Sequence, residues 1–442
     1  MCVLLQDLTR QPTAASPDPW PTTTLFAEGQ ATCGGVPLHE IAERFGTPAY
    51  VVDEADIRLR CRDYRTALPD ATIAYAAKAF LCRGMADWIR REGLALDVCS
   101  AGELAIARST GFPTERMIFH GNAKTPAELR EAIGVGRIVI DNLAEIHRLA
   151  ALVPPGRRQR VLIRVIPDIE AGGHPKIRTG AEGQKFGLSI ADGEADAAVD
   201  RVLGQPELEL VGLHCHLGSQ IASAEPYRRA ARIMVEQLAR IRDRHGVVLP
   251  ELDLGGGQAI AYLEGEHGLD LREYAATVPT EISRACREYG LPIPHLIVEP
   301  GRSISGPSGV TLYRVIAIKS GPGGVFVAVD GGMSDNPRPG LYDARYTVRM
   351  IGRRSQSGSR TVTVVGRHCE SGDVIARDVA LPADLRPGDL LGVAATGAYH
   401  HSMASTYNAT GRAPVVAVAD GQARLLVRRE EPDDLLRRDV GL

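Results

Sequence analysis

The sequence has no stretch approaching the ~18 consecutive apolar residues of a membrane-spanning helix, so no such span is expected. Its opening, "MCVLLQDLTRQPTAASPDPW", lacks a basic segment ahead of a long apolar one, and no secretory leader is expected from it. A basic excess is missing too. The formal net charge of −3 argues against a nucleic-acid or other polyanionic partner. The eight cysteines form no CxxC pair and no metal-finger spacing, which fits reduced thiols in a cytoplasm better than a disulfide framework. There is no low-complexity tract. What remains is an ordinary globular composition, 44% apolar and 24% charged, over 442 residues, enough for two sizeable domains or a barrel with an appended module.

From about Thr72 a rhythm sets in, a short apolar strand followed by a helical stretch. The strands read "TIAYAAK", "LALDVCS", "RMIFHG", "RIVIDN", "RVLIRVI", "LELVGLHCHLG", "LDLGGG" and "LIVEPG". Segments such as "AGELAIARSTG" and "TPAELREAIGVG" between them carry apolar residues at helical spacing. Continuous apolar strands alternating with helices imply parallel strands covered on both faces. Eight such units predict an α/β fold built on a (β/α)8 TIM barrel, with an open doubly wound sheet as the alternative. After Arg302 the texture turns β-rich with Gly, Pro and Asp turns, which predicts a C-terminal, mainly antiparallel β domain. The expected organisation is an arm over residues 1–25, a segment over 26–55 that joins the β domain, the barrel over 56–305 and the β domain over 306–442.

Chemistry in such a barrel collects where strands end. The polar residues there are Lys78, Asp97, His120, Asn122, Arg164, His214, His216, Ser219, the Gly255–Gly257 run, Glu299 and Arg302. Lys78 closes an apolar strand, where an unpaired ammonium costs several kcal/mol to desolvate. A lysine snorkelling to solvent would answer that cost. So would one whose pKa burial lowers until it can attack an aldehyde. The "GGG" after "DL" lets backbone amides approach a phosphate, "HLGS" offers an imidazole and a hydroxyl, and "VEPGR" brings a carboxylate beside a guanidinium. Amine, phosphate cradle, flat ring and acid are the fittings for pyridoxal 5'-phosphate.

Carrying "YAAKAF", "LDVCSAGEL", "GLHCHLGSQ", "DLGGG", "VEPGRSI", "DGGMSDN", "HCESGD" and "ATGAY" in that order, the chain resembles the fold-type III pyridoxal-phosphate-dependent decarboxylases from about Gly34 to its C-terminus. The resemblance implies an alanine-racemase-like barrel, a β domain and a homodimer whose active sites are shared across the interface. By the same resemblance Lys78 forms the Schiff base with the cofactor, and Glu299 bonds the pyridine nitrogen. His216 stacks on the ring, while Ser219, Gly255, Gly256, Gly257, Gly301 and Tyr399 cradle the phosphate. Arg302 meets a substrate carboxylate. Cys369, reaching into the partner's site with Glu370, returns a proton to the carbon that has lost CO2.

Substrate choice has a physical side. A diamine acid such as ornithine asks only for an anion at its far end, whereas meso-2,6-diaminopimelate also needs a cation for its distal carboxylate. "NPRPGLY" offers Arg338 and Tyr342 at the family's distal-carboxylate position, with Glu370 and Tyr399 completing the substrate contacts. The expected reaction is therefore decarboxylation of diaminopimelate to L-lysine. A paralogue acting on lysine, ornithine or a carrier-bound amino acid stays open.

Three departures bear on that choice. Gln258 and Ala259 follow the glycine run where relatives read "GGGLGI", Gly173 precedes His174 where relatives carry threonine, and His400 and His401 follow Tyr399. Rival readings fare less well. His214 and His216 alternate onto one strand face as metal ligands would, but the strand order of metal-dependent amidohydrolase barrels is reversed here and no metal site is expected. Racemases of this fold set an arginine at the pyridine nitrogen, where this chain has Glu299. Non-catalytic pyridoxal-phosphate carriers resemble the barrel alone and lack a β domain.

Overall fold

In the computed structural model, residues 19–172, 180 and 183–441 are described; Gly173 and His174 lie outside them. Eight parallel strands close the barrel: β1 (Thr72–Ala76), β2 (Ala95–Val98), β3 (Met117–Phe119), β4 (Arg137–Ile140), β5 (Gln159–Ile166), β6 (Leu208–His214), β7 (Glu251–Asp253) and β8 (His295–Val298). β8 pairs with β1 and β4 with β5, so no barrel edge is left open. These are the eight strands expected from the sequence.

The period of two along each strand explains where polar groups converge. Ala74, Ala95, Ile118, Val139, Leu162, Val211 and Ile297 pack together inside the barrel. Two residues further along six of those strands stand Ala76, Asp97, His120, Asp141, Arg164 and Glu299, at the C-terminal mouth. Towards the opposite end Glu251 accepts from Arg137 at 2.5 and 2.6 Å and from Arg160 at 2.6 Å, plugging the barrel floor with a paired charge cluster. Helix N-caps set the turns at the mouth. Ser100 accepts from the Glu103 N–H, Asn142 from the Glu145 N–H, and Thr125 forms a capping box with Glu128.

The β domain draws on both ends of the chain. Strand Ala49–Asp53 pairs antiparallel with Gly309–Gly321 and parallel with Val415–Ala419. Gly324–Val329 lies parallel to Ser359–Val365; the remaining pairings of this sheet among the described residues are antiparallel. Trp20 is buried in a core cluster with Val51, Leu312 and Val416. Ile260 and Tyr262, from the loop after β7, reach out of the barrel into the core formed by Tyr313, Val327, Val364 and Leu391. Among the described residues no helix is long and apolar enough to cross a membrane.

Candidate active site

One cavity at the barrel mouth is lined by Ala76, Lys78, His216, Ser219, Gly257, Gln258, Glu299, Gly301, Arg302 and Tyr399. Lys78 sits in the single turn Ala77–Ala79 that ends β1 and donates from Nζ to Asp97 Oδ2 at 2.8 Å. Burial favours its neutral amine, yet the carboxylates of Asp97 and Glu299 outweigh that and hold the ammonium above lysine's ordinary range. The cost of a charge at the end of an apolar strand is thus met by a fully buried partner on the neighbouring strand.

Glu299 faces two imidazoles. Its Oε1 lies 2.6 Å from His120 Nε2 and its Oε2 3.3 Å from His214 Nε2. Burial alone would push this carboxyl up; the two rings outweigh it and keep Glu299 ionised, well below the usual carboxylate range. Asp253 at the end of β7 moves the other way. Burial and the neighbouring Glu299 raise it far above its ordinary value, so of the two buried acids Glu299 carries the charge. Desolvation lowers His214 to about 4. His216 is likewise held neutral, by burial first and then by the Lys78 ammonium, and its Nδ1 accepts the Gly256 N–H at 3.1 Å.

The glycine run after β7 is needed for its lack of side chain. A Cβ on Gly256 would overlap the Glu299 carbonyl oxygen, and one on Gly257, whose φ is +100°, would overlap that of Gly218. Beside it Arg302 Nη2 donates to Ser219 Oγ at 2.8 Å, and the guanidinium stacks 4.6 Å from the centre of the Tyr399 ring. Tyr399 comes from the β domain and is tied to the β1 turn by its N–H, which donates to the Ala79 carbonyl at 2.8 Å.

Arg338 is buried beside this cavity without lining it. Its Nη1 donates to Tyr262 Oη at 2.8 Å and Tyr346 Oη at 2.5 Å, and its guanidinium lies 6.0 Å from the Tyr342 ring. Cys369 and Glu370 are not brought to the cavity of the same chain. They occupy an exposed loop held at its base by Asp373, which accepts from the N–H groups of Met333 (2.6 Å) and His368 (2.7 Å), and by Asn408, which accepts from the Cys369 N–H at 3.0 Å. Asn122 and Arg164 do not line the cavity either; Arg164 lies 3.7 Å from Asp141 and over the Phe186 ring. Gln258 lines it beside Gly257, and Ala259 is buried behind. His400 is buried with its Nδ1 2.8 Å from the Ala398 carbonyl, while His401 stands edge-on to Tyr50 and Phe80.

Sequence reasoning missed Tyr262, Tyr346 and Asp253. Asp253 belonged to the quoted "DLGGG", and its place at a strand end was a usable signal. Tyr262 was not legible, because it joins the site by packing across the domain boundary, and no motif marks Tyr346, which meets Arg338 within the β domain. The structure also sets His120, Asp253 and Glu299 around His214, with one ligand atom of each within 4.8 Å of the others.

A pyridine-based phosphate cofactor fits this chemistry. Among the described residues Arg302 Nε is buried without a hydrogen-bond partner, a donor left over beside the cavity, and Glu299 sets a carboxylate in its lining. The glycine run puts no side chain into the space beside Ser219 and Arg302, and an amine stands among them. An (α/β)8 barrel that presents these groups at its C-terminal mouth under a β domain has the frame of the fold-type III decarboxylases.

Comparison with known proteins agrees. Residues 54–306 match the family described as pyridoxal-dependent decarboxylase, pyridoxal binding domain. The chain is 54% identical over 423 residues to the diaminopimelate decarboxylase of Actinosynnema pretiosum subsp. auranticum, 95% of each chain, and 47% identical over 442 residues to that of Mycobacterium tuberculosis, 96% and 98%. The crystal structure of diaminopimelate decarboxylase from M. jannaschii in complex with L-lysine superposes with a TM-score of 0.89 at 30% identity, covering 96% of this chain and 98% of that one. The chain belongs to the pyridoxal-dependent decarboxylases, in the diaminopimelate decarboxylase family.

Proposed function

We propose that the protein removes the carboxylate from the D-configured carbon of meso-2,6-diaminopimelate, yielding L-lysine and CO2, with pyridoxal 5'-phosphate held at Lys78. The observation that carries this reading is Glu299, kept ionised by two imidazoles across the cavity from a lysine. When bound, the cofactor supplies an aldehyde for an amine and an electron-poor ring that takes up the pair left by departing CO2.

Lys78 Nζ would hold the aldehyde carbon, with Asp97 Oδ2 ready to keep the proton that the amine gives up. Glu299 would take the ring nitrogen, and its negative charge keeps a proton there. His216, neutral and flat at the cavity wall, would back the ring face. Ser219, Gly255, Gly256, Gly257, Gly301 and Tyr399 would receive the phosphate, where the glycines leave room for it and the Ser219 hydroxyl can donate. Arg302 would bind a substrate carboxylate, while Arg338 and Tyr342 would bind the distal one. A guanidinium can grip both oxygens of a carboxylate, which an ornithine-type substrate cannot offer at its far end.

The Cys369 loop supports a homodimer with shared sites. It is hydrogen-bonded at its base yet exposed, and it does not line its own chain's cavity, as expected of a segment serving a second copy. There Glu370 would hold the distal ammonium, and the Cys369 thiol would deliver the proton to the carbon that lost CO2.

The test is a substrate panel. Protein loaded with pyridoxal 5'-phosphate is incubated with meso-diaminopimelate, lysine and ornithine, and CO2 and L-lysine are quantified. Equal amounts of both products from diaminopimelate alone are expected. CO2 from lysine or ornithine with none from diaminopimelate would overturn the substrate assignment.

A further inference from the structure

Arg302 comes from the barrel and Arg338 from the β domain, yet both guanidiniums are buried, at 6% and 4% residue exposure. Two like charges out of water repel, and each needs an anion. Their hydrogen-bond partners among the described residues are hydroxyls rather than carboxylates: Ser219, Tyr262 and Tyr346. One oxygen serves both. Tyr262 Oη accepts from Arg302 Nη1 in a close contact and from Arg338 Nη1 at 2.8 Å, and the guanidinium carbons lie 5.8 and 5.0 Å from its ring centre.

With both lone pairs engaged, the phenol has only its own O–H left to give. Burial would push that phenol up, but the two cations outweigh burial and lower it from its ordinary value, so the oxygen carries more negative charge than a tyrosine elsewhere. The nearby imidazole adds no third charge. His400 stands edge-on to Tyr346, and burial, with Arg338 and Arg302, holds it neutral at about 3.

We infer that Tyr262 is a positioning residue for substrate selection: its hydroxyl stands in as the shared counter-ion of Arg302 and Arg338 and sets their spacing for a substrate that carries a distal carboxylate. This rests on the function proposed above. The arriving carboxylate replaces the phenol oxygen as acceptor for Arg338, and the freed O–H donates to it. A substrate without that carboxylate leaves the arginines on Tyr262 and gains nothing.

The test is Tyr262→Phe in the cofactor-loaded enzyme, which deletes one oxygen and keeps the ring in its core. We expect the visible absorbance of the bound cofactor to be unchanged and kcat to fall less than about threefold. KM for meso-diaminopimelate should rise about 10- to 100-fold, the loss of the hydrogen bond that the phenol gives to the charged carboxylate. The inhibition constant of pimelate, a dicarboxylate without amines, should rise in parallel, and that of the monocarboxylate hexanoate should not. An unchanged KM and pimelate constant would overturn the inference, as would equal weakening of pimelate and hexanoate. Should Tyr262→Phe not fold, Tyr262→His, which returns an acceptor nitrogen to a ring, is compared in the same way. A wild-type enzyme that neither turns over diaminopimelate nor binds pimelate would overturn this inference and the proposed function together. A wild type that does both, beside an unaffected variant, would overturn this inference alone.

Discussion

Replacing His400 by phenylalanine should remove about 2 kcal/mol of acid sensitivity. Burial holds His400 at about 3, against 6.5 for the free side chain. The unfolded chain therefore binds a proton here that the folded one refuses, and stability falls as pH drops below about 6.5. At pH 5 the gap is roughly 1.5 pH units, worth about 2 kcal/mol at ~1.4 kcal/mol per unit. His214 and His401, each lowered to about 4 mainly by burial, act in the same direction. The assay is equilibrium urea unfolding of wild type and His400→Phe at both pH values. The variant loses the hydrogen bond to the Ala398 carbonyl, so its stability at pH 7 is not the readout; the difference between the two pH values is. That difference should be about 2 kcal/mol smaller in the variant. An identical difference would show that His400 titrates normally in the folded protein and would refute the reasoning.

Three further outcomes are expected. Glu251→Ala strands Arg137 and Arg160 at the barrel floor and should cost about 3 kcal/mol in urea unfolding while leaving kcat intact; a lowered kcat at unchanged stability would contradict the separation of floor and mouth. Gly257→Ala places a methyl group on the Gly218 carbonyl at a left-handed φ, so the purified protein should lose the cofactor's visible absorbance; normal loading would contradict the cradle. Arg338→Ala should raise KM for diaminopimelate about 100-fold, the cost of one lost partner in a buried charge pair, with cofactor loading unaltered. A change confined to kcat would contradict its place at the distal carboxylate.

The barrel was legible because its strands are covered on both faces and so read as unbroken apolar runs, each stopping on a polar residue. Lys78, Asp97, His216 and Glu299 could be located by that rule alone, since the period of two carries strand ends to the mouth. The short strand Val348–Ile351 has no local mark of its own, being brief and paired with Leu390–Ala394 far along the chain. Tyr262 and Tyr346 escaped for a related reason. The Tyr262 hydroxyl meets a guanidinium from far along the chain, the Tyr346 hydroxyl one only eight residues back, and no motif marks either meeting. His400 and His401, read as departures on the substrate side, are a buried neutral ring beside Tyr346 and an aromatic contact of Tyr50 and Phe80.

Which amine takes the cofactor decides the chemistry of the whole site. Borohydride reduction of the loaded protein, followed by peptide mass mapping, fixes the coenzyme to whichever lysine holds it. The mass increment is predicted on the peptide containing Lys78 and should vanish in Lys78→Ala along with the visible absorbance. An increment on another lysine, or an unmodified Lys78 in protein that still releases CO2, would contradict it.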